Sequence, residues 1–173
     1  VVNIGTNYLS VDTQLKRTEI RQLDAPLLKA DEHNSVEVVI DQFDETKDGI
    51  GEGVKLVSNA VHIMGHIGGH AIIECKNINA EGATHHSSFI SAINAHIHLH
   101  KGTVRAKEVK IDTLEGGIVH GKNIDIHLAS GGEIYGDIVR IHELKNHVKI
   151  YAGSQIIIDH IVGEDNLLCI DGD

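Results

Sequence analysis

Histidine and carboxylate side chains recur at one spacing through the middle of this chain. His98, Asp112, His127 and His142 stand 14 or 15 residues apart, and Asp159 lies near the same phase beyond them. Imidazole and carboxylate groups bind zinc and other transition metals, and an acidic neighbour can orient a ligating histidine. If the fold stacks these residues, they form an outward-facing column that could hold such an ion. The full set is Glu81, His98, Asp112, His127, His142 and Asp159.

The alternative interpretation of this column is a solvated face on which unlike neighbours avoid like-charge contacts across strands. A flat sheet also arranges potential metal-binding side chains in a straight line, whereas zinc prefers tetrahedral coordination. The metal site at His98, Asp112, His127 and His142 is therefore the less favoured hypothesis, and no cofactor is expected otherwise.

A second cluster is expected where the chain turns, at His85, His86, His100 and Glu115. His86, His100 and Glu115 each lie four residues before residue 90, 104 or 119, where units of a sequence repeat begin, and this predicts that they share one corner. His85 is expected to point partly inward. A general base needs a nucleophile within reach, and two serines follow His86 directly. No Asp or oxyanion-donor arrangement accompanies them, so we expect turn contacts and no catalytic residues.

The elements that must position these side chains are short strands that repeat about every 15 residues. Val104, Val119 and Ile134 begin three successive units, and the same apolar positions follow two, five, seven and ten residues later. Alternation of apolar and polar residues predicts strands with one buried face. A fixed short period predicts a solenoid.

Units begin at residues 56, 73, 90, 104, 119 and 134, with a further one near Ile150 whose next apolar pair comes one residue late. A bulge near Gly153 explains that delay. The sequence thus predicts an all-β protein, a parallel β-helix of about seven short triangular coils of 14–17 residues over residues 54–173. Hexapeptide-repeat acyltransferases, which need apolar positions every six residues, do not fit this period.

Residues 1–53 show no repeat, and we expect them to form a small N-terminal cap or part of an appended region. Gln14–Lys29 is predicted as a short helix or an irregular segment. The stretch Asp44–Gly53 resembles a calcium loop, but its twelfth position is Lys55 instead of the bidentate Glu. An acidic, glycine-rich turn is the preferred interpretation.

The composition argues against several function classes. The net charge of -10 disfavours a binder of nucleic-acid backbones. No apolar stretch is long enough to span a bilayer, and no signal peptide is evident. Cys75 and Cys169 fall in distant coils, so we expect no disulfide and a reducing compartment.

Several motifs resemble the β-helical domain of the FapA (flagellar assembly protein A) family. The similarity extends over about Val54 to Ile170 and is carried by GATHHSSFISA (Gly82–Ala92), HKGTVRAKEVKID (His100–Asp112), LEGGIVHGKNI (Leu114–Ile124), GGEIYGD (Gly131–Asp137) and VKIYAGSQIII (Val148–Ile158). MinC and the bactofilins share this kind of short right-handed coil. The resemblance implies a right-handed β-helix in a bacterial cytoplasmic protein tied to flagellar assembly or its cellular placement.

We therefore predict a non-enzymatic scaffold or protein-interaction module, with flagellar or polar proteins as partners. A bactofilin-like, self-assembling cytoskeletal protein is the first alternative, because an uncovered terminal coil offers unpaired strand edges through which copies could associate. The second alternative is a metal- or ligand-binding module that uses the histidine column. No nucleic-acid partner is expected.

Overall fold

The computed structural model describes the backbone at residues 9–10, 17–20, 22–24, 27–29 and 37–171, and the side chains at 22–24 and 37–171. This part of the chain contains strands and no helix. The strands are β1 Leu9–Ser10, β2 Arg17–Ile20, β3 Leu27–Lys29, β4 Glu37–Asp41, β5 Asp48–Ile50, β6 Lys55–Val57, β7 Ala60–Met64, β8 His66–Ile67, β9 Ile72–Glu74, β10 Asn77–Ala83, β11 Phe89–Ser91, β12 Asn94–His100, β13 Thr103–Arg105, β14 Glu108–Glu115, β15 Ile118–His120, β16 Asn123–Ser130, β17 Gly132–Leu144, β18 Val148–Ile161 and β19 Leu167–Ile170.

The strands stack as a right-handed parallel β-helix of about eight coils, which confirms the predicted fold class. Neighbouring coils pair in parallel along the stack, as β12 pairs with β14 and β14 with β16. Parallel connections of this kind are right-handed in nearly all proteins.

Apolar residues of equal phase lie directly above one another, as the repeat predicts. Val104 pairs with Val119 and Val119 with Ile134, and all three side chains are fully buried. The ladder Ile97, Ile111, Ile126 and Ile141 is buried in the same way. Each fully buried aliphatic side chain stabilises the fold by about 1.5–3 kcal/mol relative to exposure.

The predicted bulge is also present. Gly136 pairs with Ala152 but Ile138 pairs with Gln155, so β18 contains one extra residue at positions 153–154. The extra residue keeps Ile156 and Ile158 in phase with the interior ladders, because a strand that slipped by one residue would turn them outward.

Parallel pairing continues upstream of residue 54, the predicted start of the solenoid. Val38 pairs with Val61 and Ile40 with Ile63, so β4 is a full rung of the stack, and β2 pairs with β4 in turn. β3 pairs with β6 in the same parallel manner. The described strands of the region 1–53 therefore continue the solenoid, and its role as a cap stays a prediction.

The segment predicted as a short helix at Gln14–Lys29 contains strands β2 and β3 where the structure describes it. Tertiary pairing with the following coils outweighs its weak helical periodicity. The acidic stretch after β4 forms a turn in which Lys47 donates its backbone N–H to the carbonyl of Asp44, and the Asp44 carboxylate accepts from Thr46. This agrees with the predicted acidic turn at residues 44–47, whereas Asp48–Ile50 forms strand β5.

Each coil has three sides. The first side contains residues 17–20, 37–41, 60–64, 77–81, 94–98, 108–112, 123–127, 138–142 and 155–159. The second side contains β5, β8 and the chain near residues 83–84, 99–100, 113–115, 128–130, 143–144 and 160–161. The third side contains β1, β3, β6, β9, β11, β13, β15, the first halves of β17 and β18, and β19.

Candidate functional site

The structure assembles the predicted histidine column on the first side. His98, Asp112, His127, His142 and Asp159 occupy successive rungs and point to solvent, because their neighbours in the sequence fill the interior. Glu81 belongs to the preceding rung, where β10 has a bulge, and its carboxylate lies 4.0 Å from the Nε2 atom of His62.

Two aspartates organise this column by bonding to the rung before them. Asp112 accepts from Nδ1 of His98 at 2.9 Å and from Nε2 of His96 at 3.2 Å. Desolvation tends to raise the pKa of Asp112, but these hydrogen bonds outweigh it and leave the pKa below its usual value. His142 likewise donates to Asp159 at 2.9 Å, and this bond, with Arg140 nearby, lowers the pKa of Asp159.

The column is a set of pairs and not a pocket that encloses an ion. His127 and His142 stack with ring centroids 4.7 Å apart, and the two aspartates already accept hydrogen bonds from protein groups. Among the described residues, no group of three or more His, Cys, Asp or Glu is arranged to hold a metal ion. Metal analysis of untagged protein and of a His127→Ala variant tests the metal hypothesis, which stays a prediction.

A groove lies beside the histidine column on the same side, with a volume of about 750 Å³. One wall is the corner column, Glu37, Ala60, Asn77, Asn94, Glu108, Asn123 and Ile138. The other wall is the middle column, His62, Asn79, His96, Lys110, Asp125 and Arg140. The floor lies at residues whose side chains belong to the core, such as Ile78 and Val109, and is therefore mostly backbone.

Side-chain hydrogen bonds between rungs order the corner column. Asn94 donates its side-chain amide to Asn77 at 2.8 Å, and Asn123 donates to Glu108 at 2.8 Å. All four residues stand four positions after the start of a unit, so their shared phase was a signal in the sequence that our prediction of site residues missed.

The predicted corner cluster does not form as one group. His85 and His86 are exposed, with ring centroids 4.1 Å apart, and His85 Nδ1 lies 2.8 Å from the hydroxyl of Ser87. Glu115 is exposed and pairs with Lys101 at 3.7 Å. The expectation that His85 points partly inward is wrong, because its side chain is exposed at the turn.

His100 is the buried member of the predicted cluster and lies at the end of β12 instead of at the shared corner. It pairs with Leu114, and its side chain is 0% exposed. The corner after His100 has two residues before β13, whereas the corner after Leu114 has three before β15. The sequence alignment counted four residues back from each coil start and so placed His100 level with Glu115. Counting ten residues forward from the start at Ile90 places His100 level with Leu114, as in the structure.

Thr84 accompanies His100 in the interior, and the two form a buried polar pair. The Thr84 hydroxyl oxygen accepts the backbone N–H groups of Lys101 and Gly102 and lies 2.8 Å from His100 Nδ1. A hydroxyl has two acceptor positions and one donor, so its hydrogen points to Nδ1. This places the imidazole proton on Nε2, which makes no hydrogen bond of normal geometry, although the nearby backbone at Ile118 and Gly102 acts to raise the pKa of the ring.

Burial in this aliphatic surrounding lowers the pKa of His100 to about 4. The imidazole is therefore neutral at pH 7 and cannot act as a general base toward solvent from its interior position. Burial raises the pKa of the Cys75 thiol to about 12, so this half-buried cysteine is unreactive at neutral pH. Cys75 and Cys169 are both free.

The third side has a different surface from the first. Its outward residues include Ile72, Phe89 and Ile118, and Tyr135 stacks between His120 and Tyr151 with ring centroids 4.7 and 4.9 Å away. The Tyr135 hydroxyl donates to Glu133 at 2.9 Å, which raises the pKa of the phenol. Partial burial and nearby Arg105 lower the pKa of His120.

Comparison of the chain with protein-family models, with curated proteins and with solved structures finds no match. The parallel β-solenoid agrees with the fold that the sequence resemblance implies. Within the described residues, no helix is long and apolar enough to cross a membrane.

Proposed function

We propose that this chain is a non-enzymatic scaffold whose third side binds a protein partner. The observation that carries this proposal is the apolar and aromatic surface of that side. Ile72 is 39% exposed, and Phe89, Ile118, Tyr135 and Tyr151 are half-buried on the same flat side. Aromatic residues and exposed aliphatic patches are enriched at protein interfaces.

The rigidity of the stack supports this role. Each rung is held by main-chain hydrogen bonds on both sides and by buried aliphatic ladders, so the side chains of the third side are held at the regular spacing of about 4.8 Å per rung. A surface that is ordered before binding loses little conformational entropy when a partner docks.

The resemblance to the FapA family supports a more specific proposal. It points to a bacterial cytoplasmic scaffold whose partners are flagellar or polar proteins. The motifs that carry this resemblance lie within the solenoid, so the proposal concerns this part of the chain and its sides.

Affinity capture from a lysate of flagellated bacteria tests the proposal. The chain and a first-side control, Lys110→Glu, should recover the same flagellar or polar protein. Tyr135→Glu, which places a charge in the centre of the third side, should reduce its recovery at least about tenfold, as a loss of about 1.4 kcal/mol would. Recovery of no such protein by the unaltered chain would contradict the flagellar role, and equal recovery by Tyr135→Glu would contradict the assigned side.

A second candidate function, self-assembly through the coil ends, is favoured by the last described rung. Ile161, Leu168 and Ile170 stand in line with the buried Leu144, Ile150 and Ala152, yet they are 60%, 44% and 56% exposed. Apolar side chains at interior positions and unpaired strand edges favour pairing with another chain.

Sedimentation velocity over a range of concentrations tests this candidate. The chain should associate, and Leu168→Lys should shift it to monomer. Ile72→Lys is the matched control, because it changes an aliphatic side chain of similar exposure on the side of the solenoid. A single monomer species at every concentration would rule out end-to-end assembly.

A further inference from the structure

The groove on the first side is straight, narrow and continuous. Its corner column spans the seven rungs from Glu37 to Ile138, which is about 29 Å at about 4.8 Å per rung, and its middle column spans the six rungs from His62 to Arg140. Its two walls are columns that stand two residues apart on one face of a sheet, a separation of about 6.8 Å. An α-helix with side chains is about 10–12 Å across and does not fit between them.

The chemistry of the walls indicates which ligand would be recognised. Asn77, Asn79, Asn94 and Asn123 each have both donor and acceptor groups, and the hydrogen bonds along the corner column use only part of them. Groups that donate and accept side by side match hydroxyl groups, which do the same. Two histidines, His62 and His96, have the same dual capacity when neutral.

The charges of the groove nearly cancel along its length. Glu37, Glu108 and Asp125 stand against Lys110 and Arg140. A polyanion such as a nucleic acid would meet three carboxylates within the groove and a chain of net charge -10 around it. The polymer whose charge best matches this groove is therefore an uncharged one.

The spacing of the rungs separates two kinds of uncharged polymer. An extended peptide presents its side chains on one face about every 6.8 Å, which falls out of step with rungs about 4.8 Å apart. In a linear glycan whose rings are joined at opposite ends, each sugar advances by about one rung. Successive sugars in such a chain are turned over, so equivalent hydroxyl groups recur on one face at every second sugar and meet equivalent side chains at about every second rung.

We propose that the groove between the corner column and the middle column of the first side binds a linear, uncharged glycan. The glycan lies parallel to the solenoid axis, with its hydroxyl groups bonded to the asparagine and histidine side chains of both walls. This binding site goes beyond the scaffold function and uses a different side of the molecule.

Isothermal titration calorimetry with cellohexaose as the probe tests the proposal. We expect saturable binding with a Kd below about 1 mM, equivalent to about 4 kcal/mol. Maltohexaose, whose chain curves, should bind at least tenfold more weakly. A ten-residue peptide of alternating serine and threonine probes the competing occupant, and binding of the peptide without cellohexaose would overturn the proposal.

Variants locate the binding in the groove. A double variant, Asn94→Ala with His96→Ala, should weaken cellohexaose binding at least tenfold, while His120→Ala on the third side should leave it unchanged. Asn94→Trp, which fills the groove, should abolish binding, and circular dichroism of each variant checks that the solenoid is intact. Absence of binding up to 10 mM cellohexaose, or equal binding by the folded groove variants, would refute the site.

The test is independent of the scaffold proposal. Tyr135→Glu should lose the protein partner and keep cellohexaose, whereas Asn94→Trp should lose cellohexaose and keep the protein partner. Loss of both ligands in either variant would contradict the assignment of separate sides.

Discussion

Two neighbouring parts of the second side fill the interior in different ways. Leu114, Ala129 and Leu144 fill the interior of the second side in successive coils with aliphatic side chains that are 0% exposed. In the rungs before them, the same place is taken by His100 and Thr84. The aliphatic rungs need only shape complementarity, whereas the polar rungs also need hydrogen-bond partners.

The difference shows what a solenoid tolerates in its core. The Thr84 hydroxyl oxygen accepts hydrogen bonds from two backbone N–H groups at a two-residue corner, and it also orients His100. The Thr84 side chain thus supplies the acceptor that the backbone of this short corner lacks. The Nε2 atom of His100 makes no hydrogen bond of normal geometry, and a buried donor left in this state destabilises the fold by up to about 1–3 kcal/mol. The aliphatic coils should therefore be sensitive to side-chain volume, and the polar rungs to pH.

The largest effect is expected from a cavity in the aliphatic coils. Ile126→Ala should lower the free energy of unfolding by about 2–5 kcal/mol, because Ile126 is fully buried between Ile111 and Ile141. Urea denaturation at pH 7 measures the change. An effect below about 1 kcal/mol would mean that the aliphatic column is loosely packed.

The pH dependence of stability should come largely from the polar rungs. His100 has a pKa of about 4 in the folded chain against 6.5 for an ordinary histidine, so between these values the unfolded state binds the additional proton. The stabilisation is complete above about pH 6.5 and is lost as the pH falls toward 4, with a total of about 3 kcal/mol.

Urea denaturation between pH 4 and 7 measures this loss. His100→Leu, which restores the aliphatic side chain of the next coil, should flatten the profile in this range. His127→Leu is the control, since His127 is exposed on the first side and its replacement should leave the profile nearly as it was. A profile unchanged by His100→Leu would show that other groups cause the pH dependence.

Removal of the hydroxyl of Thr84 should have an intermediate effect. Thr84→Val keeps the shape of the side chain but leaves the backbone N–H groups of Lys101 and Gly102 without their acceptor. We expect a loss of about 1–3 kcal/mol in unfolding free energy. Amide hydrogen exchange at Lys101 and Gly102 should accelerate by more than at Glu115 and Gly116, and uniform acceleration would contradict a local role.

The smallest effect is expected on the exposed column of the first side. Asp112→Asn weakens the hydrogen bonds from His96 and His98, which are all partly solvent-exposed, so we expect a loss of about 0.2–1 kcal/mol at pH 6. Thermal unfolding at low and high salt measures it, since added salt should reduce the effect. A loss as large as that of Ile126→Ala would mean that the column has a structural role.

The apolar period predicted most of the architecture. Residues such as Ile111 and Ile126 alternate with polar neighbours at fixed phase, and only parallel coils in register bury all of them at once. The same phase predicted that His98, Asp112, His127 and His142 would stand in one outward column. It did not predict the rungs formed by β2, β3 and β4, because their spacing to the next coils departs from the repeat.

His100 shows where prediction from the sequence ended. The coil that begins at Ile90 has 14 residues, one fewer than the next coil. The sequence allows the missing residue to belong to a strand or to a corner. Only the tertiary structure places the loss in the corner after His100, because a loss within the strand would have turned every following side chain to the other face.

The sequence by itself determined the parallel stack, because each aliphatic residue has the same position in every coil and the repeat of that position is visible in the sequence. The tertiary structure alone decided that His100 lies inside with Thr84, and that two polar columns enclose a groove. Both depend on contacts between residues about 15 positions apart, whose distances and corner lengths are set by packing of whole coils.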